Sequence, residues 1–145
     1  MIKKWFEIIT DHRISLYERM FRLVTGICMI ALVFTMPMGR TLWNILIMVV
    51  YLIAMALIVK FSIQKKCVHT GATIIAILLL TLFPVCFFTA GGFYSGVPEW
   101  FVFCFVYVCI TLQGRRRNAF FVLCTLETLF CYGLAFYHPE LVVQN

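Results

Sequence analysis

The sequence predicts an all-α protein, a bundle of helices that crosses a membrane several times. Hydrophobic residues make up 63% of its 145 residues and charged residues only 12%, which is too little charge for the surface of a water-soluble domain. The charges also cluster between long apolar runs, the layout of a polytopic membrane protein. Because the even alternation of a membrane β-barrel is absent, the predicted spans are helices that satisfy their own backbone hydrogen bonds.

Five apolar segments define the predicted transmembrane bundle, residues 22–136. A helix needs about 17 to 25 residues to cross about 30 Å of hydrocarbon, and the fourth segment is the shortest of the five. A cytoplasmic segment, residues 1–21, precedes the bundle, and an extracytoplasmic tail, residues 137–145, follows it. The predicted spans are residues 23–39, 41–59, 70–90, 98–113 and 119–136.

The segment before the first span mixes apolar and charged residues with a helical rhythm. Trp5, Ile8 and Ile9 fall on one face, which predicts a basic amphipathic helix lying on the inner membrane surface. Asp11 is a candidate N-cap for a helix that continues into the first span. An anchoring role for this segment is favoured over a regulatory one.

The basic residues predict the orientation of the bundle. Three groups of lysine and arginine fall on one side of the membrane, and the opposite side receives only Arg40. By the positive-inside rule the N-terminus is cytoplasmic. The tail and the loop between spans three and four then lie outside the cytoplasm, and the membrane is the cell membrane (the inner or plasma membrane). The net charge of +6 then reflects topology and attraction to anionic lipids, not binding to nucleic acid. The three groups are Lys3, Lys4, Arg13, Arg19 and Arg22; Lys60, Lys65 and Lys66; and Arg115, Arg116 and Arg117.

The seven cysteines do not form a pattern typical of a metal or redox site. Six lie within or at the edges of predicted spans, where cysteine behaves as a small apolar residue. Cys67 and His69 could supply two metal ligands, but no second pair accompanies them. We therefore expect no metal and no cofactor.

The sequence also lacks the motifs of an enzyme. Neither GxSxG nor HExxH is present. The predicted topology puts His12 and His69 in the cytoplasm and His138 outside, so these three histidines cannot share a site. We predict that the chain is not an enzyme and name no catalytic residue.

Glu127 interrupts the fifth span near its middle. A carboxylate at that depth costs a few kcal/mol unless it is neutral, paired or facing water. Tyr51 and Tyr107 are predicted at a similar depth, where their hydroxyls could bond to Glu127 with support from Thr125 or Thr128. Two interpretations stay open: a cation-responsive switch or ligand pocket, and a protonated glutamate that ties helices together.

The loop between spans three and four reads "FFTAGGFYSGVPEW", residues 87–100. Its glycines permit positive φ angles, and its aromatic residues favour the level of the lipid headgroups. Pro98 suits the first turn of span four, where a missing N–H is no loss. These features support a simple turn and a ligand-binding lid equally.

The loop and the tail together resemble a known family. "FFTAGGFYSGVPEWFVFCFVYVCITLQGRRR", followed after one more span by "YHPELV", is similar to the N-terminal membrane-sensor region of bacterial, chiefly Firmicute, sensor histidine kinases and diguanylate cyclases. The matching positions are Gly91, Gly92, Ser95, Gly96, Pro98 and Trp100 in the loop, and Tyr137, Pro139, Glu140 and Leu141 in the tail.

The resemblance implies a sensory and signal-transduction module of the kind found in two-component systems. Proteins of that family continue into a sixth span and a cytoplasmic output domain. We therefore expect either a fragment of a longer sensor or a separate module. The output of such a module would come from a separate cytoplasmic protein or through a homodimer in the bilayer. The sensing candidates that follow are Gly91, Gly92, Ser95, Gly96, Pro98, Glu99, Trp100 and, secondarily, Glu127.

Two other classes remain as alternatives. A small transporter, or a subunit of one, would use Glu127 and a kink at Pro84 around a site in the middle of the membrane. A protein that serves only membrane assembly would bind no ligand at all.

Overall fold

The computed structural model describes residues 15–36, 42–90, 92 and 97–142. This part of the chain forms five α-helices and one 3-10 turn and contains no strand, which confirms the all-α prediction. The helices are α1 Leu16–Thr35, α2 Leu42–Gln64, α3 Val68–Thr89, α4 Val97–Thr111 and α5 Gly114–Tyr137, and the 3-10 turn is Pro139–Leu141.

Three of these helices, α2, α3 and α5, are long and apolar enough to cross a membrane. α4 is apolar but has only 15 residues, a length of about 22 Å at 1.5 Å per residue. α1 carries Glu18, Arg19 and Arg22 in its first two turns, which shortens its apolar part. The chain is therefore a membrane protein with three helices of spanning length, and five spans stay a prediction.

α1 begins with Ser15 as its N-cap. The Ser15 hydroxyl accepts a hydrogen bond from the Glu18 amide at 3.3 Å, and this bond satisfies one of the free N–H groups of the first turn. Glu18 also forms an ion pair with Arg22 one turn later. Asp11 was thus the wrong cap for this helix. Asp11 and the predicted amphipathic helix lie outside the described residues.

Beside the basic links, α2, α3 and α5 extend beyond the predicted spans, whereas α4 ends two residues earlier than predicted. α2 continues to Gln64 and α3 starts at Val68, so only residues 65–67 connect them. Lys66 makes this tight turn with a φ of 53°. α5 likewise starts at Gly114, which places the three following arginines inside the helix. The apolar runs end before the helices do, so hydropathy alone places these boundaries inside the helices.

α3 is the central helix and packs against all four of the others. Its small residues permit close approach. At Gly71 an added Cβ would lie 2.7 Å from the Cβ of Ser62 on α2 and would also overlap the Ser62 hydroxyl. The side chains of α3 that form the core are Val68, Ala72, Ile75, Ala76, Leu79, Leu82, Phe83, Cys86 and Phe87.

Short links make neighbouring helices antiparallel, so the bundle has two distinct ends. At one end, which we call the basic end, Tyr17 at the start of α1 meets Thr111 at the end of α4. At the other, which we call the loop end, Asn44 at the start of α2 donates a hydrogen bond to the carbonyl of Thr89 at the end of α3. α4 runs from the loop end to the basic end, and α5 returns.

Candidate functional site

At the loop end, the connection after α3 lies against the tail after α5. Gly92 has a φ of +56°, and an added Cβ would come within 2.8 Å of the Val142 Cγ1 atom. Both residues are buried. One residue from each of the two stretches that carry the family resemblance is therefore in this contact, and we call the Gly92–Val142 pair the loop–tail contact.

The 3-10 turn holds the tail in place for this contact. The Val142 amide donates to the Pro139 carbonyl at 3.2 Å, and the His138 ring nitrogen Nδ1 lies 2.8 Å from Glu140 Oε1. Two hydrogen bonds lower the pKa of the Glu140 carboxyl. The larger effect comes from its own backbone amide, and the smaller one comes from His138. The ionised form of Glu140 is thus the one that the turn favours.

Apart from Gly92, the loop candidates that the structure describes belong to the first turn of α4. Glu99 is exposed in the first turn, where a negative charge is favoured by the helix dipole, and Pro98 beside it needs no hydrogen-bond partner for its nitrogen. Trp100 is half-buried, with its ring 5.9 Å from that of Phe83. The candidates Gly91, Ser95 and Gly96 lie outside the described residues.

A cluster of aromatic rings lies beneath the loop end and joins three helices. Phe87 of α3 packs edge-on against Phe101 of α4 at 5.9 Å and against Tyr132 of α5 at 5.6 Å. Phe101 and Tyr132 are themselves 5.9 Å apart. Such pairs contribute about 0.5 to 1.5 kcal/mol each beyond their burial, so the start of α4 is held firmly to its neighbours.

The predicted hydrogen bonds to Glu127 are wrong. Tyr51 donates to Thr81 at 3.0 Å across α2 and α3, and the Tyr107 hydroxyl lies 3.4 Å from that of Thr25 across α4 and α1. Similar depth in the membrane did not bring these groups together, because they face different neighbours around the helix axes. Thr125 and Thr128 instead donate to backbone carbonyls of α5 itself.

Glu127 is half-buried on α5. Cys124 and Cys131 lie three residues before it and four residues after it on the same face of α5, and Cys124 meets Cys104 of α4. Within the described part of the chain no hydrogen bond or ion pair engages this carboxylate. Glu127 therefore belongs to the cysteine-lined side of α4 and α5 and is separate from the loop–tail contact.

Metal-ligating side chains do not gather at either end of the described chain. Its His, Cys, Asp and Glu residues include no group of three that could hold an ion. Two cysteine thiols do meet between α4 and α5, where the sulfurs of Cys104 and Cys124 are 3.5 Å apart. This pair is a buried helix contact.

α4 connects the loop end to a polar contact at the basic end. Its Thr111 carbonyl accepts a hydrogen bond of 2.6 Å from the Tyr17 hydroxyl of α1. Burial raises the pKa of Tyr17, although the nearby charge of Arg116 opposes that rise. Tyr17 is therefore a neutral donor at ordinary pH, and it ties the end of α4 to the start of α1.

Sequence reasoning did not find Val142, Tyr132 or Tyr17 as contributors to these contacts. Val142 is the last residue of the tail stretch "YHPELV" that carries the resemblance, so its position was a usable signal. Tyr132 and Tyr17 carried no comparable signal, since aromatic residues are frequent in every segment of this chain.

No family model, no curated protein and no solved structure matches the chain.

Proposed function

We propose that the chain is a membrane-embedded sensory module, as its resemblance to the N-terminal region of sensor histidine kinases and diguanylate cyclases implies. The observation that carries the proposal is the course of α4. This helix starts at the loop residues Pro98 to Trp100, passes the aromatic cluster and ends at the Tyr17 hydrogen bond. A change at the loop end is thereby conveyed to the opposite surface.

The proposed mechanism is a shift between two packing arrangements. A signal that binds or separates the loop–tail contact stabilises one position of α4, and the start of α1 follows because Tyr17 is bonded to the end of α4. A signal changes such an equilibrium only by its difference in affinity for the two arrangements. The aromatic cluster ties the start of α4 to α3 and α5, so a shift of α4 requires these rings to repack.

The proposed setting is the bacterial inner membrane, with five spans, the basic end in the cytoplasm and the loop end outside. The output then comes from a separate cytoplasmic protein or through a homodimer. Fusing alkaline phosphatase after Val142 tests this orientation, because that reporter is active only outside the cytoplasm. Low phosphatase activity, with strong fluorescence from a green fluorescent protein fused at the same place, would overturn it.

Coupling between the two ends is tested by hydrogen–deuterium exchange on the full chain in nanodiscs. Gly92→Ala disturbs the loop–tail contact, and we expect faster exchange both there and in the first turns of α1. Gly133→Ala is the matched control, since an added Cβ at Gly133 meets nothing within 4 Å. Faster exchange confined to the loop end would contradict a sensory role for α4.

A small transporter remains the second candidate, favoured by one observation. Glu127 is half-buried on a membrane-length helix without a polar partner in the described chain, as expected of a carboxylate that receives a passing cation. Proton flux into vesicles that hold a pH-sensitive dye separates the two candidates. Proton flux that the Glu127→Gln substitution abolishes would favour transport. Proton flux into vesicles with the wild-type chain that is no higher than into vesicles without protein would favour the sensor.

A further inference from the structure

An open cavity of about 470 Å³ lies at the basic end of the bundle. It is formed where the start of α1, the start of α3 and the link between α4 and α5 come together. Its volume falls within the range of small-molecule sites. The lining residues are Tyr17, His69, Thr73, Leu112, Gln113, Arg115 and Arg116.

The charge in this cavity is positive. Arg115 and Arg116 both line it, and neither forms an ion pair with the described part of the chain. No carboxylate is among the lining residues, and the nearby acid Glu18 is already paired with Arg22. Two neighbouring guanidinium groups are thus free to bind an anion.

Helix dipoles add to this positive charge. α3 and α5 both begin at the cavity, and neither of their N-cap residues, Cys67 and Gln113, forms a side-chain cap hydrogen bond. Neither helix has an acidic residue in its first turn. The partial positive charges of two helix N-termini are therefore uncompensated by side chains and favour an anion at the same place as the arginines.

One wall of the cavity is fixed in position. The rings of Tyr17 and His69 stack with centroids 4.1 Å apart and an interplanar angle of 24°. Tyr17 is held by its hydrogen bond to Thr111, and the Thr73 hydroxyl donates to the His69 carbonyl at 2.9 Å. Since the wall is already ordered, a ligand loses little free energy in organising it.

We propose that this cavity binds a phosphate group, carried either by an anionic phospholipid or by a soluble phosphorylated compound. Adjacent arginines match the several oxygens of a phosphate better than a single charge does. Leu112 and the Tyr17 ring offer an apolar edge beside the arginines, which suits a ligand with a phosphate and a less polar substituent. The proposal does not rest on the sensory role of the loop end, although Tyr17 belongs both to this cavity and to the contact with Thr111.

The lipid source is tested with the full chain in phosphatidylcholine vesicles that contain spin-labelled phosphatidylglycerol. We expect the immobilised lipid fraction to exceed that of spin-labelled phosphatidylcholine. The double variant Arg115→Gln/Arg116→Gln lowers the preference about tenfold or more, since a bond to a charged group is worth one to two powers of ten. Arg117→Gln removes one positive charge from the same helix outside the cavity lining and should change the preference less than twofold.

The soluble source is tested with the chain in nanodiscs of phosphatidylcholine alone. Glycerol 3-phosphate is titrated into this sample, and the heat of binding is measured by calorimetry. The proposal is supported if either the lipid or the glycerol 3-phosphate experiment shows saturable binding that the double variant loses and Arg117→Gln keeps. The experiment that shows this binding identifies the source of the phosphate. Circular dichroism checks that the double variant is folded, and Arg116→Lys should retain part of the binding. No saturable binding in both arms, or equal losses in Arg117→Gln and the double variant, would overturn the proposal.

Discussion

Gly92 and Val142 come from distant parts of the chain and touch at the loop end of the bundle, with no room between them for a side chain on Gly92. Gly92 also adopts the left-handed backbone conformation that glycine alone takes up without strain. Gly92 and the tail after α5 thus form one structural unit.

Gly92→Ala tests this unit. We expect a loss of about 2 to 4 kcal/mol of local stability, since the substitution adds backbone strain of about 1 kcal/mol or more to a steric overlap with Val142. Protease digestion of the tail measures the loss. Gly114→Ala is the control for strain alone, because Gly114 has a φ of +57° with nothing within 4 Å of an added Cβ. Equal protease sensitivity of the two variants would argue against the contact.

Gly71→Ala probes the closest approach of α2 and α3. The added methyl group overlaps Ser62, and overpacking of this kind typically costs about 1 to 3 kcal/mol. A lower Tm in detergent is the expected result. Gly133→Ala, in a helix position with open space around it, should raise the Tm slightly, since alanine favours the helix by about 0.5 to 1 kcal/mol.

Tyr17→Phe removes the hydrogen bond to Thr111 and leaves the ring on His69. The expected cost is about 1 kcal/mol, seen as faster amide exchange where α1 begins and α4 ends. Tyr137 supplies the control: it is exposed, and its hydroxyl has no hydrogen-bond partner in the described chain. A Tyr137→Phe variant that exchanged as fast as Tyr17→Phe would leave the contact without support.

The tail turn should depend on pH through Glu140. Because the pKa of Glu140 is lowered in the folded turn, the stability it contributes is fully present above the ordinary glutamate pKa of about 4.3. That stability is lost as the pH falls through the folded value. Carboxyl ¹³C NMR should give a midpoint below that of an unstructured peptide with the same sequence, and Glu140→Gln should abolish the acid-dependent exchange of the Val142 amide. A midpoint at or above the peptide value would contradict the turn.

Hydropathy was sufficient to predict the helices but not their ends. The apolar runs of α2, α3 and α5 are so long that only helices can accommodate them in a membrane. Their ends depend on local features that hydropathy does not record. The Ser15 cap and the positive φ of Lys66 are two such features, and both shifted boundaries by several residues.

The candidate site was predictable as two stretches of sequence but not as one place. Nothing in the spacing of Gly92 and Val142 reveals that they touch, because that contact depends on how α4 and α5 fold back on α3. The error with Glu127 has a related cause. Depth along a span can be read from the sequence, whereas rotation about the helix axis, which aimed Tyr107 at Thr25, depends on packing.

The 15 residues of α4 have a consequence for the lipid around the protein. A helix of about 22 Å is shorter than the hydrocarbon layer of about 30 Å, and Val102 and Val106 on its outer face are exposed. In the predicted five-span arrangement, lipids beside α4 compress to cover its ends, at a cost of a fraction of a kcal/mol per Å of mismatch. In that arrangement thick bilayers strain the protein along this one helix, and thin bilayers relieve it.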